Sequence, residues 1–363
     1  MKFRAQIPGA VLPTVMVVAV LFVLLVVGLI SLWEADFLYF LRHRHETMMR
    51  AHIESGFTLY AEYPDETMGA LGADSTLLLY DSLPGSRIEI TRKPHGLYEI
   101  VTIAAGRTRA SKIFGSYPAD LVLCYPDRGS SVTLAGKTNL KGRMKIPGLG
   151  VIYGQMGADF FRGEEISRAM MTASEKELPK PTSEALAIVE QLKTLAADDV
   201  TIDASWSSPD TVVVARKAHI EQGFKGSLQV FALDSIIVAE DVTLEYPSGL
   251  FSETHVTVSG RSTVNGYIIV APADSDNEPD IMHANYKQSR NATVRGLLYV
   301  DGIAQLQGIV SGVVIVDRAI YYSPRGYYEN MLYDVTILEN HEMAWPLWLS
   351  GAPTRRREAK WLN

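Results

Sequence analysis

The amino-terminal part of the chain carries a long apolar stretch, Ile7–Trp33, that contains no Lys, Arg, Asp or Glu. A helix of roughly 20 apolar residues is enough to cross the hydrocarbon core of a bilayer. Val and Ile dominate the stretch, but a segment in lipid must satisfy its own backbone hydrogen bonds, so the pattern predicts a helix. We expect a single-pass transmembrane helix that anchors the rest of the chain.

A cleaved secretory signal peptide is the alternative, because Lys2 and Arg4 resemble its basic start. The apolar stretch is longer than the about 7–15 residues of such a signal, and no small-x-small cleavage site precedes the first acidic residues. The same two basic residues favour a cytoplasmic amino terminus with the bulk of the chain exported, while Arg42 and Arg44 on the other flank compete.

Apolar residues continue behind this stretch at helical spacing, with charged residues between them, and no Pro or Gly interrupts Ser31–Ser55. The simplest expectation is one helix over 9–62, roughly 80 Å long, that spans the bilayer and then projects amphipathically. The alternative is a membrane helix, a break and a separate surface helix.

A small β region is predicted over 63–118. Alternation of polar and apolar residues in Arg87–Thr91 and Leu97–Ile103, with turn-forming residues between them, indicates a hairpin.

The segment 119–350 predicts a third kind of structure, because short β-branched stretches alternate with a repeated apolar-x-Gly unit. Examples end at Gly136, Gly142, Gly260 and Gly266. Short strands with glycine at the corners favour an irregular parallel β-solenoid, while a β-sandwich or barrel would give a similar pattern. The predicted fold class is therefore mainly β with a long amino-terminal transmembrane helix.

Insertions are expected within this body at 160–200, which includes a helical pattern, and at 271–290, which is a polar loop. The segment Trp345–Trp348 is expected to pack over the last rung, and the alternative is an exposed patch that binds a partner. Residues 351–363 are predicted to be a solvated basic tail.

The composition bears on nucleic-acid binding and on disulfide formation. The net charge is −7, which gives no indication of nucleic-acid binding. Cys124 is the only cysteine, so an intrachain disulfide is excluded, and a lone Cys in a strand pattern is most often a small buried apolar residue.

The first 60 residues resemble type IV pilin-like proteins, especially the PilX-type and K-type minor pilins. The resemblance rests on the short basic leader 1–8, on Gly9 before the apolar helix, and on Arg50–Tyr60 after it. The later segments Leu134–Gly142 and Ile146–Val151 resemble bacterial membrane proteins with such an anchor and a β-solenoid body. That body is also similar to polymer-forming bactofilin domains.

The resemblance implies a bacterial inner-membrane protein whose leader a prepilin peptidase cuts after Gly9. In major pilins a Glu at mature position five neutralises the amino terminus of the neighbouring subunit, and here Thr14 stands at that position. A tip or accessory subunit, or an unprocessed anchor in which Gly9 is an ordinary small residue, is therefore implied rather than a filament-core subunit. Thr14 is a candidate partner contact, and Trp345 and Trp348 are further candidates under the alternative that they form an exposed patch. Membrane lipid, other pilin-like subunits or secretion proteins, and a second copy are the expected partners.

Candidate chemistry is sparse. The chain lacks the common hydrolase, P-loop and zinc motifs, so we predict no enzyme activity, cofactor or metal. The histidines in Arg42–Glu46 point to different sides of a helix and indicate a solvated juxtamembrane face. The acidic residues of Asp274–Asp280 offer oxygen ligands for Ca²⁺ but lack the spacing of an EF-hand. A glycan-active solenoid would use paired carboxylates, for which the candidates are Asp234, Glu240, Asp241 and Glu245.

The sequence thus predicts a membrane-anchored structural or interaction protein, a pilin-like part of a type II secretion or type IV pilus-like assembly. The alternatives are a self-associating anchored scaffold and a carbohydrate-binding or carbohydrate-degrading β-helix.

Overall fold

The computed structural model describes residues 11–68, 74–79, 86–196, 198–206, 210–272 and 281–362. The leader 1–8 and Gly9 lie outside these ranges. Helix α1 runs without a break over Val11–Glu62, and the short helix α2 follows over Pro64–Met68. A length of 52 residues corresponds to about 80 Å, as the pattern predicts, and the alternative with two separate helices is not found.

An antiparallel sheet follows α1. Its first four strands, paired in chain order, are β1 Asp74–Leu78, β2 Arg87–His95, β3 Tyr98–Ala105 and β4 Thr108–Ser116. The predicted hairpin corresponds to β2 and β3, where His95 pairs with Tyr98. The sheet is larger than that prediction, because β4 continues the meander.

The rest of the chain forms a 16-stranded sheet and two small ones. The first group of strands is β5 Leu123–Cys124, β6 Val132–Ala135, β7 Asn139–Lys141, β8 Met144–Ile146, β9 Val151–Tyr153, β10 Gln155–Met156, β11 Asp159–Phe160 and β12 Met171–Ala173. A 3-10 helix over Arg168–Met170 precedes β12, and helix α3 covers Ser183–Lys193.

The second group of strands follows α3. It comprises β13 Val200–Ile202, β14 Thr211–Ile220, β15 Lys225–Gly226, β16 Leu228–Val238, β17 Thr243–Ser252, β18 His255–Val258, β19 Thr263–Val270, β20 Tyr286–Gln288, β21 Thr293–Gln305, β22 Gly308–Ser323, β23 Gly326–Glu329, β24 Met331–Tyr333 and β25 Val335–Leu338. The last strand, β26 Arg356–Leu362, returns to the antiparallel sheet and pairs with β4.

The main path of the large sheet is β12-β8-β5-β22-β21-β19-β17-β16-β14-β13, and each neighbouring pair on it is parallel. A β-sandwich would instead pair its strands antiparallel. The early strands β5, β8 and β12 stack beyond β22, so the order in space departs from the order along the chain.

Neighbouring residues of these strands form two apolar ladders on opposite faces of the sheet. The inner ladder belongs to the main core and consists of Val213, Val230, Leu250, Ile268, Leu298, Val314, Leu123, Met144 and Met171. The outer ladder belongs to a second core and consists of Val214, Phe231, Phe251, Ile269, Tyr299, Ile315 and Cys124. Because both faces are covered, these strands are almost continuously apolar rather than alternating.

Stacked glycines form one corner of this parallel sheet. Gly266, Gly296 and Gly312 are in register, with φ between 123° and 147°. A Cβ on any of them would lie within 2.0 Å of the carbonyl oxygen of the preceding strand. Only glycine permits this approach and backbone conformation, which is the role that the apolar-x-Gly pattern predicts.

Three segments differ from the sequence-based expectation. Within 160–200 only Ser183–Lys193 is α-helical, and β12 belongs to the large sheet. Within 271–290, β20 also pairs in that sheet. Residues 351–363 are not a solvated tail, because β26 forms the fifth strand of the antiparallel sheet.

Candidate functional site

The amino-terminal part of α1 has an exposed apolar surface. Its large apolar side chains from Leu12 to Leu41 are 43–73% exposed, apart from Val26, which is half-buried. In the described part of the chain, α1 is the one helix long and apolar enough to cross a membrane. An exposed apolar surface of this size requires lipid or other helices around it.

Thr14 is exposed near the start of this surface. It therefore occupies a position where a neighbouring helix can reach it. Gly9, the expected cleavage site, precedes the described residues.

The carboxyl-terminal part of α1 packs on the antiparallel sheet. Met49, Ile53, Phe57 and Tyr60 recur at intervals of three or four residues and are at most 3% exposed. They form a core with sheet residues Ile88, Ile90, Val101, Ile103, Ala105 and Phe114. The first half of α1 is thus exposed, and its second half is packed on the antiparallel sheet.

Lys112 links the helix to the last strand. Its Nζ lies 3.2 Å from Glu54 Oε2 in α1 and 2.9 Å from Glu358 Oε2 in β26. The same ammonium lies 4.6 Å from the ring centroid of Phe57 and 4.1 Å from that of Trp361. Two carboxylates and two aromatic faces therefore stabilise a cation that is itself buried.

A second charged contact lies near the end of α1. Arg356 Nε donates a hydrogen bond of 2.8 Å to Glu99 Oε1, and both side chains are largely buried. Burial, and then the charge of Glu99, raise the pKa of the Tyr60 hydroxyl well above its ordinary value. Arg355 forms a further ion pair of 3.0 Å with Glu62. The carboxyl-terminal strand therefore holds α1 against the sheet.

Gln229 joins the antiparallel sheet to the parallel sheet. Its Nε2 donates to the carbonyl of His95 at 2.8 Å, and its Oε1 accepts from Leu97 N at 3.1 Å and from the Tyr267 hydroxyl at 2.6 Å. A buried amide with three partners fixes the relative position of its neighbours. The two sheets are thereby joined by buried hydrogen bonds.

Sequence reasoning did not find Lys112, Glu99 or Gln229. Each is a polar residue whose role depends on partners more than 50 positions away along the chain. Local pattern carries no information about such partners.

Trp345 and Trp348 lie inside the protein, at 4% and 0% exposure. Trp348 packs edge-on against Phe251 and Tyr299 of the outer ladder. The segment therefore covers a face of the parallel sheet rather than its end. The partner contact expected from these two tryptophans is not available on this surface, because the indoles fill the second core.

The carboxylates considered for glycan chemistry each pair with a cation. Lys217 pairs with Asp234 at 3.1 Å, Lys225 with Glu245 at 3.6 Å, and Arg261 with both Glu240 and Asp241 at 3.0 and 2.6 Å. Hydrogen bonds from Arg261 and Gln222 lower the pKa of Asp241 to about 2. Each candidate carboxylate is thus held in an ion pair at the surface of the protein.

Two other candidates for chemistry carry no assignment. Asp120, Glu339 and His341 offer ligand atoms within 4.8 Å of one another, but all three are exposed and Arg143 pairs with Asp120 at 2.9 Å. The acidic stretch 274–280 lies outside the described residues.

Cys124 is buried on the outer ladder, and burial raises the pKa of its thiol to about 11. An inert structural role follows for Cys124.

No protein-family model matches the chain, and no curated protein matches it in sequence. Among solved structures, it is distantly similar to the competence-associated pilin ComZ from Thermus thermophilus. The identity is 11% and the TM-score 0.28, with 87% of this chain and 97% of that chain covered. The two folds superpose too loosely for this likeness to support a functional inference.

Proposed function

We propose that this protein is a single-pass, membrane-anchored, pilin-like accessory or tip subunit of a type II secretion or type IV pilus-like envelope assembly. The observation that carries the proposal is the division of α1 into an exposed apolar half and a half fixed on an antiparallel sheet. Such a helix enters a membrane or a helical bundle while the folded part stays outside it. The protein acts through contacts, without catalysis.

An accessory position is favoured over the core of a filament because of Thr14. A threonine has no charge with which to compensate the buried amino terminus of a neighbour, and an unpaired buried charge is costly. The subunit is therefore suited to a place where its amino terminus meets few identical neighbours.

Intact-mass measurement in a host with an active prepilin peptidase tests the proposal. We expect the wild-type protein to begin at Ala10 and Gly9→Val to keep its leader. Gly28→Val is the matched control, because nothing lies within 4 Å of a Cβ at Gly28. An intact leader in all three proteins would overturn the processed-pilin proposal.

Photocrosslinking tests the assembly itself. A photoreactive residue at Val18 or Leu25, both exposed on the apolar half of α1, is expected to capture other pilin-like subunits. Lys137, exposed on the folded part, is the control position. Capture of lipid alone at both helix positions would contradict a role in an assembly.

A self-associating scaffold is the second candidate. We interpret the parallel sheet as a β-solenoid body that resembles bactofilin domains, and β12 and β13 are its terminal strands. Four large apolar residues are 45–68% exposed here: Leu149 before β9, Ile152 in β9, Phe160 in β11 and Met170 directly before β12. A free strand edge with exposed apolar residues is prone to pair with another chain.

Sedimentation in detergent separates this candidate from the first. If the scaffold assembles through this end, Leu149→Lys with Phe160→Lys dissociates the oligomers, while Leu186→Lys on α3 does not. A wild-type protein that remains monomeric at high concentration would exclude the scaffold.

A further inference from the structure

Unpaired arginines gather where the folded part meets the apolar half of α1. Six are exposed, namely Arg42, Arg44, Arg50, Arg87, Arg107 and Arg109. Within the described residues none of them forms an ion pair, whereas arginines elsewhere in the protein commonly do. The chain as a whole has a net charge of −7, so this basic group runs against the overall charge.

Backbone register places these arginines at one end of the folded part. The β3–β4 turn lies against α1, since a Cβ on Gly106 would be 3.8 Å from Met49 Sδ. Glu89 pairs with Ala104, so β2 begins at the same end, with Arg87 at its first position. This end points along α1 toward its exposed apolar half. We call the six arginines the basic collar.

The length of α1 brings the collar to the surface of a bilayer. A bilayer with its headgroups is about 40–45 Å thick, which corresponds to about 27–30 helical residues. With Val11, the first described residue, placed at one surface, this thickness ends at about residues 37 to 40, shortly before Arg42. Trp33 and Tyr39 then lie at headgroup depth, where aromatic residues are favoured.

We infer that the basic collar binds the headgroups of anionic phospholipids in the leaflet that faces the folded part. This inference rests on the proposed membrane anchor. Unpaired guanidinium groups at the bilayer surface match phosphate geometry, and each contributes about fivefold to the attraction. Exposed acids nearby, Glu34, Asp36, Glu46 and Glu89, reduce the net charge without pairing with the arginines. His43 lies between Arg42 and Arg44, and His45 follows them.

Trp33 provides the measurement, because it is the one tryptophan in the apolar half of α1. The full chain is reconstituted into bilayers of phosphatidylcholine and phosphatidylglycerol, with either lipid brominated in turn. Quenching of Trp33 by each brominated lipid gives the ratio of their association constants at the helix. We expect a ratio above one for phosphatidylglycerol, and a fall toward one in 1 M salt, where the screening length drops to about 3 Å.

The double variant Arg42→Gln/Arg44→Gln is expected to lower this ratio toward one, because each arginine lost weakens the attraction about fivefold. Arg295→Gln/Arg325→Gln, exposed on the parallel sheet region, is the matched control and should leave the ratio unchanged. A wild-type ratio of one, with quenching by both lipids, would show that α1 enters the bilayer but that the basic collar does not bind anionic headgroups. Absence of quenching by either lipid would overturn the anchor, and with it the proposed function.

Discussion

At the residue scale, Gly96 determines how closely the β2–β3 turn packs against Gln229 of the parallel sheet. It has φ +59°, and a Cβ there would lie 2.1 Å from Gln229 Oε1. A side chain at this position would therefore strain the backbone and displace the Gln229 amide from the β2–β3 turn.

Gly96→Ala is expected to lower the free energy of unfolding by about 3 kcal/mol, from backbone strain and displacement of Gln229. Gly129→Ala is the control, because its φ is +74° with nothing within 4 Å, and it should cost only about 1 kcal/mol. Denaturant unfolding in detergent gives both values. Equal losses would show that the contact with Gln229 is unimportant.

Cys124 gives a prediction that depends on pH. Its pKa is about 11 in the folded protein because of burial, against roughly 8.5 for a free thiol. The raised value means that its contribution to stability is complete below the unfolded pKa and is lost as the pH rises through about 11. The stability difference between wild type and Cys124→Ala should therefore shrink between about pH 9 and 11.

Alkylation of Cys124 at pH 8, followed by mass spectrometry, measures the same shift. We expect the folded protein to react at least about 100-fold more slowly than the denatured protein. Comparable rates in the two states would contradict a buried thiol.

At the scale of the element, α1 and β26 differ in how far sequence could predict them. The apolar half of α1 is determined by its own composition, because no other structure satisfies its backbone in lipid. Residues 351–363 look like a solvated tail in sequence, because the strand conformation of Arg356–Leu362 depends on the edge of β4, about 240 to 250 positions earlier. β4 was not predicted for the same reason. Lys112 interrupts its apolar pattern, and the residues that stabilise this lysine, Glu54 and Glu358, are distant in the sequence.

Removal of Arg356–Asn363 is expected to expose the edge of β4 and to loosen α1. Amides of Ser111–Ser116 should lose protection in hydrogen exchange, because β26 supplies their outer pairing. Arg295→Gln/Arg325→Gln, exposed on the parallel sheet region, serves as the control and should change protection little. Unchanged protection after the deletion would mean that β26 is dispensable.

At the scale of the whole molecule, the two sheets meet at buried polar contacts as well as an apolar interface. Stacking of the large sheet was predictable because glycine corners and β-branched stretches recur along the chain. The order of strands in the sheet was not predictable. No local pattern in the sequence indicates that β5 pairs with β22 rather than with a strand next to it in the chain.

Gln229→Leu is expected to leave the His95 carbonyl, the Leu97 amide and the Tyr267 hydroxyl without their partner, and to lower stability by about 2–4 kcal/mol. The antiparallel and parallel sheets should then unfold in separate thermal transitions. Gln222→Leu, at an exposed corner, should retain a single transition. One transition in both variants would show that the apolar interface alone couples the sheets.

The strand order also constrains when the protein can fold during synthesis. β5 is synthesised about 190 residues before β22, the strand with which it pairs. β4 is synthesised about 240 residues before its partner β26. Contacts of such separation are slow to form. Helix α1 is therefore complete while both sheets still lack strands, β22 in the parallel sheet and β26 in the antiparallel sheet. The edges of both sheets stay open until those distant strands have been synthesised, and an open strand edge can pair with another chain.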